Sequence, residues 1–243
     1  MPRFFVDHIC RTDRFLVLEG ENAAHAKVLL LKNGEAVTVC DGKGTDYACT
    51  VSDVSDGRIS LVIHSADVSK SEPRVETTIY IGFPKSDKLE HVIQKATELG
   101  AARVVAFPCA RCVSRPDEKS LAKKLERWQK IAASAAEQSG RGRVPEVKVL
   151  PSFSAMLAEA AKAELPVLFY ENEHSRTFRA VIERGSFVSA ALVTGPEGGF
   201  EAAEVAQAEE AGLLICTLGN RILRCETAPL CALSALMYAA GEF

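Results

Sequence analysis

The chain has 243 residues, of which 47% are hydrophobic and 25% are charged, and its formal net charge is −3. These values are ordinary for a globular protein and argue against a uniformly basic coat for nucleic acid. No apolar run reaches the length of a membrane span, and residues 1–15 carry too many charges for a secretory signal. We therefore expect a cytoplasmic protein with one large domain or two modest ones.

Short strands separated by turns dominate the N-terminal part. Residues 23–31 suggest a short helix, and strand-like apolar runs with glycine-containing turns between them lie at 15–18, 36–40, 47–51 and 59–63. Many short strands with such turns predict a small β-barrel. The stretch from Ser65 to Glu76 is polar and contains Pro73, so we interpret it as a linker between domains at 1–71 and 72–243.

Strands and helices alternate from Thr77 onward. Helices are predicted at 87–99 and 120–138, and strands at 78–83, 103–107, 166–170, 190–193 and 213–218. The alternation predicts a mostly parallel α/β sheet with helices on both faces.

Two unusual loops follow the last two predicted strands. The first is Gly-Pro-Glu-Gly-Gly at 195–199, and the second runs from Leu218 to Pro229. Three glycines in five residues leave the main chain bare, so a ligand can approach its N–H and C=O groups closely. Since carboxyl ends of neighbouring strands form ligand crevices in open α/β sheets, we expect a binding site here. Neither loop matches G-x-G-x-x-G or the P-loop pattern.

The eight cysteines are expected to be reduced thiols, because most lie in apolar contexts. Cys109 and Cys112 form a lone C-x-x-C with Arg111 between them, and a neighbouring cation that lowers a thiol pKa leaves a redox role open. A zinc site would need a second pair, and the five histidines show no ligand spacing. We expect no metal and a structural role for the pair.

Two further stretches, Glu137-Gln138-Ser139-Gly140-Arg141 and the run from Ile93 to Gly100, strengthen the pattern. Together with the two loops, they resemble the RsmE-like 16S ribosomal RNA uridine-N3 methyltransferases of the SPOUT (knotted) superfamily. The resemblance is strong from about Lys85 to Ala228 and weaker in the N-terminal part. It implies an RNA-binding PUA-like β-barrel followed by a SPOUT α/β sheet with a deep trefoil knot.

The resemblance also implies an activity. The chain would methylate N3 of a uridine in 16S ribosomal RNA with S-adenosyl-L-methionine, within the small ribosomal subunit. It would act as a homodimer through the knotted domain, with the final helix, Leu230 to Tyr238, near the interface. One departure lies after the first helix, where the family tends to carry Val-Leu-Arg and this chain has Val28, Leu29 and Leu30.

The resemblance assigns residues to three roles. The residues implied in cofactor binding are Tyr170, Glu171, Thr194, Gly195, Pro196, Glu197, Gly198, Gly199, Leu218, Gly219, Ile222, Leu223 and Arg224. Arg224 would stabilise the uridine imide anion, Glu197 or Glu226 would orient it or accept a proton, and Arg141 would act across a dimer interface. The residues implied in RNA binding are Arg3, Arg11, Lys27, Arg111, Arg115, Arg141 and Arg143.

Two other classes of function remain open from the residues alone. One is a non-catalytic RNA-binding protein in which the barrel does the binding. The other is a nucleotide-binding hydrolase that uses the glycine-rich loop, against which the absent Walker signature counts. Binding of S-adenosylmethionine, measured by calorimetry, distinguishes the methyltransferase from both.

Overall fold

The computed structural model describes residues 1–10, 12–55, 57–113, 118–183 and 185–243. The chain forms two compact units. The first comprises Met1–Glu72 and Ala136–Val144, and the second comprises Pro73–Ala135 and Pro145–Phe243. A short segment far along the chain therefore completes the N-terminal unit.

A sheet of five strands forms the first unit within the described ranges, in the order β1-β3-β4-β5-β2. Strands β1 and β3 pair in parallel, and the other pairs are antiparallel. The elements are β1 (Arg3–Phe5), β2 (Phe15–Leu18), α1 (Gly20–Val28), β3 (Ala36–Cys40), β4 (Thr45–Ser55) and β5 (Arg58–Val68).

One apolar core holds this unit together. It is built from alternate residues of the strands and from Ala23 and Ala26 of α1. Helix α1 begins and ends three residues earlier than the sequence predicts. Leu30, just beyond its end, has a φ of 55°, which is uncommon for a bulky side chain and places a turn there.

The second unit has six parallel strands in its described part, in the order β11-β9-β10-β6-β7-β8. Its elements are β6 (Glu76–Gly82), α2 (Lys88–Glu98), β7 (Arg103–Phe107), α3 (Glu118–Ser139, whose last turn belongs to the first unit), β8 (Glu146–Val149), α4 (Phe153–Ala160), β9 (Leu165–Phe169), α5 (Phe178–Ile182), β10 (Ser189–Thr194), α6 (Ala202–Glu210), β11 (Leu214–Cys216) and α7 (Thr227–Ala239).

The burial of this sheet explains why its strands are continuous apolar runs. Every residue of β6 after Glu76 is buried, as expected for a parallel strand covered on both faces. In α2, Leu89, Val92, Ile93 and Ala96 form a buried stripe at helical spacing. The predicted parallel α/β sheet is confirmed.

Several sequence-based expectations about elements need correction. The strands before the two unusual loops, β10 and β11, are not neighbours, because β9 lies between them. The predicted linker is shorter than expected, because β5 continues through Val68 and β6 begins at Glu76. Four short elements are not predicted from the sequence, because each has eight residues or fewer and gives a weak periodic signal: β1, β8, α4 and α5.

Candidate active site

A cavity of about 380 Å³ lies in the second unit where β9, β10 and β11 end. Every residue that the resemblance assigns to cofactor binding lines it: Tyr170, Glu171, Thr194, Gly195, Pro196, Glu197, Gly198, Gly199, Leu218, Gly219, Ile222, Leu223 and Arg224. The cavity is also lined by Lys88, Phe169, Thr217, Arg221, Cys225 and Ala228. Although β9 separates the two strands, it contributes Phe169 and the residues after it, so the two loops still face one site.

The loop at 195–199 is folded tightly upon itself. The N–H of Gly199 donates to the carbonyl of Pro196 at 3.0 Å. Gly199 has a φ of +65°, and a Cβ there would lie 2.9 Å from Oε2 of Glu171. Only glycine suits this position, because it accepts the left-handed conformation and leaves room for the carboxylate.

The second loop combines an apolar wall with the start of α7. Its apolar side chains are Leu218, Ile222 and Leu223, of which Ile222 is 78% exposed. The carbonyl of Arg224 accepts from the N–H groups of Thr227 and Ala228, at 2.8 and 2.9 Å. These bonds join Arg224 to the first turn of α7, which begins at Thr227, and so hold Arg224 at the cavity.

Lys88, which the sequence analysis did not single out, lies at the centre of an ion cluster on the cavity wall. Its Nζ lies 2.9 Å from Oε1 of Glu197 and 3.3 Å from Oε2 of Glu226. The Sγ of Cys225 lies 3.7 Å from the same Nζ and 3.3 Å from Glu226 Oε2. The backbone N–H of Lys85 also donates to Glu197, at 3.1 Å.

These contacts change the acidity of the groups. Burial alone would raise the pKa of the Glu197 carboxyl, but hydrogen bonds from Lys88 and from backbone N–H groups lower it to about 2. Burial would likewise raise the pKa of Glu226, and bonds from its own backbone N–H, from Cys225 and from Lys88 lower it instead. Burial, helped by the bond to Glu226, raises the pKa of Cys225 to about 12. At neutral pH the cluster therefore holds two carboxylates, one ammonium and a neutral thiol, and Glu197 is a weak base.

Arg221 and Arg224 are the cations that face the cavity without a carboxylate beside them. Both are exposed, and neither forms an ion pair with another described residue. Their guanidinium groups are thus available to a ligand, whereas the Lys88 ammonium is already paired.

The C-x-x-C turn lies behind the glycine loop. Cys109 and Cys112 are free thiols with their Sγ atoms 3.3 Å apart. The hydrogen bond to Cys112 and burial raise the pKa of Cys109 and outweigh the lowering by a hydrogen bond from the Arg111 backbone, so the thiol is less acidic than the sequence suggests. Nη1 of Arg111 instead donates to the carbonyl of Gly198 at 3.0 Å, which places this predicted RNA-binding residue against the glycine loop.

Arg141 lies in the first unit, where its side chain is 4% exposed and pairs with Glu72. Its Nε and Nη2 contact the two oxygens of Glu72 at 2.8 and 2.7 Å. Burial would raise the pKa of Glu72, but the bonds from Arg141 and from the N–H groups of Gly142 and Arg143 lower it. This pairing was not foreseen from the sequence, and a catalytic role for Arg141 stays a prediction.

The other residues predicted to bind RNA differ in whether their charged groups are exposed or already paired within the chain. Arg3 is held by Asp46 through bonds of 2.6 and 2.8 Å, so its guanidinium is already occupied. Lys27 and Arg143 are exposed. Arg11 and Arg115 lie outside the described residues.

The described residues hold neither a metal-binding cluster nor a membrane-spanning helix. No group of three or more His, Cys, Asp or Glu side chains among them is placed to hold a metal ion. No helix in the same ranges is both long enough and apolar enough to cross a membrane.

Two models of known protein families match this chain and give its class. A model of RNA methyltransferase domains matches residues 70–237, and a model of the RNA methyltransferase PUA domain matches residues 18–63. Fold and site therefore define an RNA methyltransferase with a PUA domain. A ribosomal RNA small subunit methyltransferase E from Bacillus subtilis (strain 168) is 39% identical to this chain over an alignment of 250 residues. The alignment covers 98% of this chain and 96% of the relative. The chain belongs to the family of ribosomal RNA small subunit methyltransferases E.

Two solved structures agree with this assignment. A ribosomal RNA small subunit methyltransferase E from Neisseria gonorrhoeae, crystallised with S-adenosylmethionine, has a TM-score of 0.84 and 31% identity, covering 98% of this chain and 97% of that one. A methyltransferase from Legionella pneumophila, in complex with the same cofactor, has a TM-score of 0.86 and 29% identity, again covering 98% and 97% of the two chains.

Proposed function

We propose that this protein methylates N3 of a uridine in 16S ribosomal RNA and takes the methyl group from S-adenosylmethionine. The observation that carries the proposal is that both special loops and the end of β9 line one shared cavity. Its volume of about 380 Å³ lies within the range of small-molecule sites. Family membership supports the reaction class, and the cofactor of the two related structures supports the donor.

The residues around the cavity fit this cofactor. The glycines of the loop at 195–199 and Gly219 carry no side chain, so an adenine can approach their backbone closely, and a Cβ at Gly219 would meet nothing within 4 Å. The N–H and C=O of Gly219 also bond to the Thr217 hydroxyl, at 3.1 and 3.3 Å, which fixes the conformation of this loop. Leu218, Ile222 and Leu223 provide the apolar wall that its ring needs. The absence of a P-loop lysine agrees with a ligand that has no triphosphate.

When bound, the cofactor supplies an electrophilic methyl group on a sulfonium. The chain's own task is to present the uridine as a nucleophile. Uridine N3 is a weakly acidic imide, and its anion needs a fixed positive group beside it. The guanidinium of Arg224 is exposed at the cavity and pairs with no carboxylate in the described residues, so we assign it this role.

For the acidic residues we propose orientation of the site and not proton acceptance. Glu197 was a candidate proton acceptor, but a pKa of about 2 makes it a poor base at neutral pH. We propose that Glu197 and Glu226 serve the site through their contacts with Lys88, and that the imide proton leaves to water. Holding the base in line with the methyl group then supplies most of the rate.

For contact with RNA phosphates we propose Lys27 and Arg143, which are exposed and lie in the first unit. Arg11 and Arg115, which lie outside the described residues, are further candidates. Arg3 and Arg141 would support the RNA surface indirectly, because carboxylates already hold their guanidinium groups. Arg111 donates a hydrogen bond to the Gly198 carbonyl, so RNA bound at Arg111 would also contact a residue that supports the glycine loop.

The proposal extends to assembly. It includes a homodimer formed through the SPOUT domain, a trefoil knot in that domain, and action in the cytoplasm on the small ribosomal subunit. Its basis is family membership and the apolar composition of α7, where five residues are buried within the chain while Tyr238 is 77% exposed.

Mass mapping of 16S ribosomal RNA tests the proposal. RNA from cells that lack the gene should lose one methyl group on a single uridine, and a plasmid carrying the wild-type gene should restore it. An unchanged methylation map would contradict the proposal. Calorimetry with S-adenosylmethionine separates the alternatives, because a purely RNA-binding protein or a nucleotide hydrolase should give no heat.

A further inference from the structure

Lys88 occupies a position where a lysine is electrostatically unfavourable by itself. It is the first residue of α2, and a cation at a helix N-terminus opposes the helix dipole. Its side chain is nevertheless only 28% exposed and turns toward two carboxylates. The local sequence does not explain this placement, but the partners of Lys88 do.

Those partners come from two different walls of the cavity. Glu197 lies in the loop between β10 and α6, and Glu226 is the N-cap residue of α7. The Glu226 side chain makes no capping hydrogen bond to its own helix and contacts Lys88 and Cys225 instead. One ammonium therefore joins the start of α2, the glycine loop and the start of α7.

Without the Lys88 ammonium, the negative charges of Glu197 and Glu226 would repel each other. Because one Nζ contacts both carboxylates, at 2.9 and 3.3 Å, the two acids lie close enough to repel each other without it. Their repulsion would push the glycine loop away from the loop that carries Arg224. The junction also places Arg224 only two residues from Glu226, so movement of Glu226 moves the proposed catalytic cation.

We propose that Lys88 is a positioning residue for methyl transfer: it neutralises the repulsion between Glu197 and Glu226 and thereby fixes the two walls of the cofactor cavity relative to each other. The inference rests on the proposed function, since it assigns the cavity to S-adenosylmethionine. It concerns a role through other residues, because the ammonium itself is already occupied by the two carboxylates.

The test compares variants that differ in charge at this one position. Lys88→Met keeps the length of the side chain and removes the charge, and Lys88→Arg keeps the charge. Lys88→Met combined with Glu226→Gln removes one of the two carboxylates and so removes the repulsion. Lys85→Met is the matched control, because Lys85 is an exposed lysine of the same segment that contacts Glu197 only through its backbone N–H.

Calorimetry with S-adenosylmethionine and the thermal midpoint are measured for each full-length variant. Lys88→Met should bind on the order of tenfold more weakly, as expected for coupled charges, while Lys88→Arg and Lys85→Met bind within a few-fold of wild type. The double variant should recover most of the affinity lost in Lys88→Met. This recovery is the decisive readout, because removing the charge of Glu226, whose Oε2 lies 3.3 Å from the Lys88 Nζ, would not compensate for a lysine that acted only by packing.

Two results would overturn the inference. One is wild-type affinity in Lys88→Met, and the other is a double variant as weak as Lys88→Met when both retain the wild-type thermal midpoint. If Lys88→Met fails to fold, the double variant and Lys88→Arg still decide between charge and packing. A wild-type protein that binds no S-adenosylmethionine would instead count against the proposed function.

Discussion

The α-carbon of Gly198 lies directly against Arg111, such that a Cβ at Gly198 would be 2.9 Å from the Cβ of Arg111 and 3.4 Å from its carbonyl oxygen. The same arginine donates from Nη1 to the Gly198 carbonyl at 3.0 Å. The glycine loop is therefore backed by the C-x-x-C turn, and any side chain at Gly198 displaces one of the two.

We predict that Gly198→Val abolishes detectable binding of S-adenosylmethionine and leaves the overall fold intact. The new side chain has no room against Arg111, so the loop moves into the cavity and occupies the ligand's space. Calorimetry measures binding, and circular dichroism and the thermal midpoint control for folding. Wild-type affinity in a correctly folded Gly198→Val protein would contradict the assignment of this loop.

Arg224→Ala should lower the single-turnover rate of methyl transfer about a hundredfold, and at least tenfold, at saturating cofactor and RNA. Its affinity for the cofactor should change much less, because the interaction that is lost forms mainly in the transition state. Arg224→Lys should recover only part of the rate, since lysine keeps the charge without the planar fork.

Arg221→Ala is the matched control for this prediction, because Arg221 is an exposed arginine of the same cavity. It should keep a rate near that of wild type. If Arg224→Ala loses affinity in proportion to its rate, Arg224 is a binding residue; if it loses neither, the activating cation lies elsewhere.

The Glu72–Arg141 pair should make stability depend on pH in the acid range. The folded pKa of Glu72 lies below its ordinary value of 4.5, so the pair stabilises the protein fully above that pH and loses this contribution as the pH falls through the folded pKa. Glu72→Gln should cost about 3 kcal/mol at neutral pH, because it leaves a buried guanidinium without its carboxylate.

Denaturant unfolding at pH 7.5 and at pH 3 measures this effect. The difference between wild type and Glu72→Gln should shrink at the lower pH, whereas Glu183→Gln, at the exposed pair with Arg179, should change little at either. A difference for Glu72→Gln that stays constant with pH would show that the carboxylate charge is not what stabilises the pair.

Light scattering at micromolar concentration should report twice the chain mass of 26.2 kDa. Tyr238, on α7, is 77% exposed, and burying such an aromatic in a subunit interface would explain its place on the surface. Tyr238→Glu should shift the protein toward monomer, while Val54→Glu in the first unit should not. A stable wild-type monomer that still methylates RNA would refute the dimer.

The position of the two loops that line the cavity could be predicted from the sequence, because it depends on local patterns. The glycine loop and the segment from Leu218 to Pro229 follow apolar strands directly, so their place at the carboxyl edge of the sheet followed from the pattern. The partners of Lys88 could not be found in this way, because Glu197 is 109 residues away. The local signal, a cation in the first turn of α2, does not say which carboxylates it contacts.

Two other features could not be predicted, because they also join segments that lie far apart in the sequence. The insertion of β9 between β10 and β11 depends on strand order, which periodicity does not specify. The segment Ala136–Val144 carries charged residues beside glycines, and the resemblance placed it in an active site. Its pairing through Arg141 with Glu72 became visible only once the two segments were folded together.

The position of the transferred methyl group tests the central claim most directly. Purified protein is incubated with labelled S-adenosylmethionine and small ribosomal subunits from cells that lack the gene, and the RNA is then digested to nucleosides and resolved by mass spectrometry against standards. We predict one labelled product per 16S RNA, 3-methyluridine, and no label with Arg224→Ala under the same brief exposure. Label on a carbon of the base, on a ribose hydroxyl or on another nucleoside would contradict the claim.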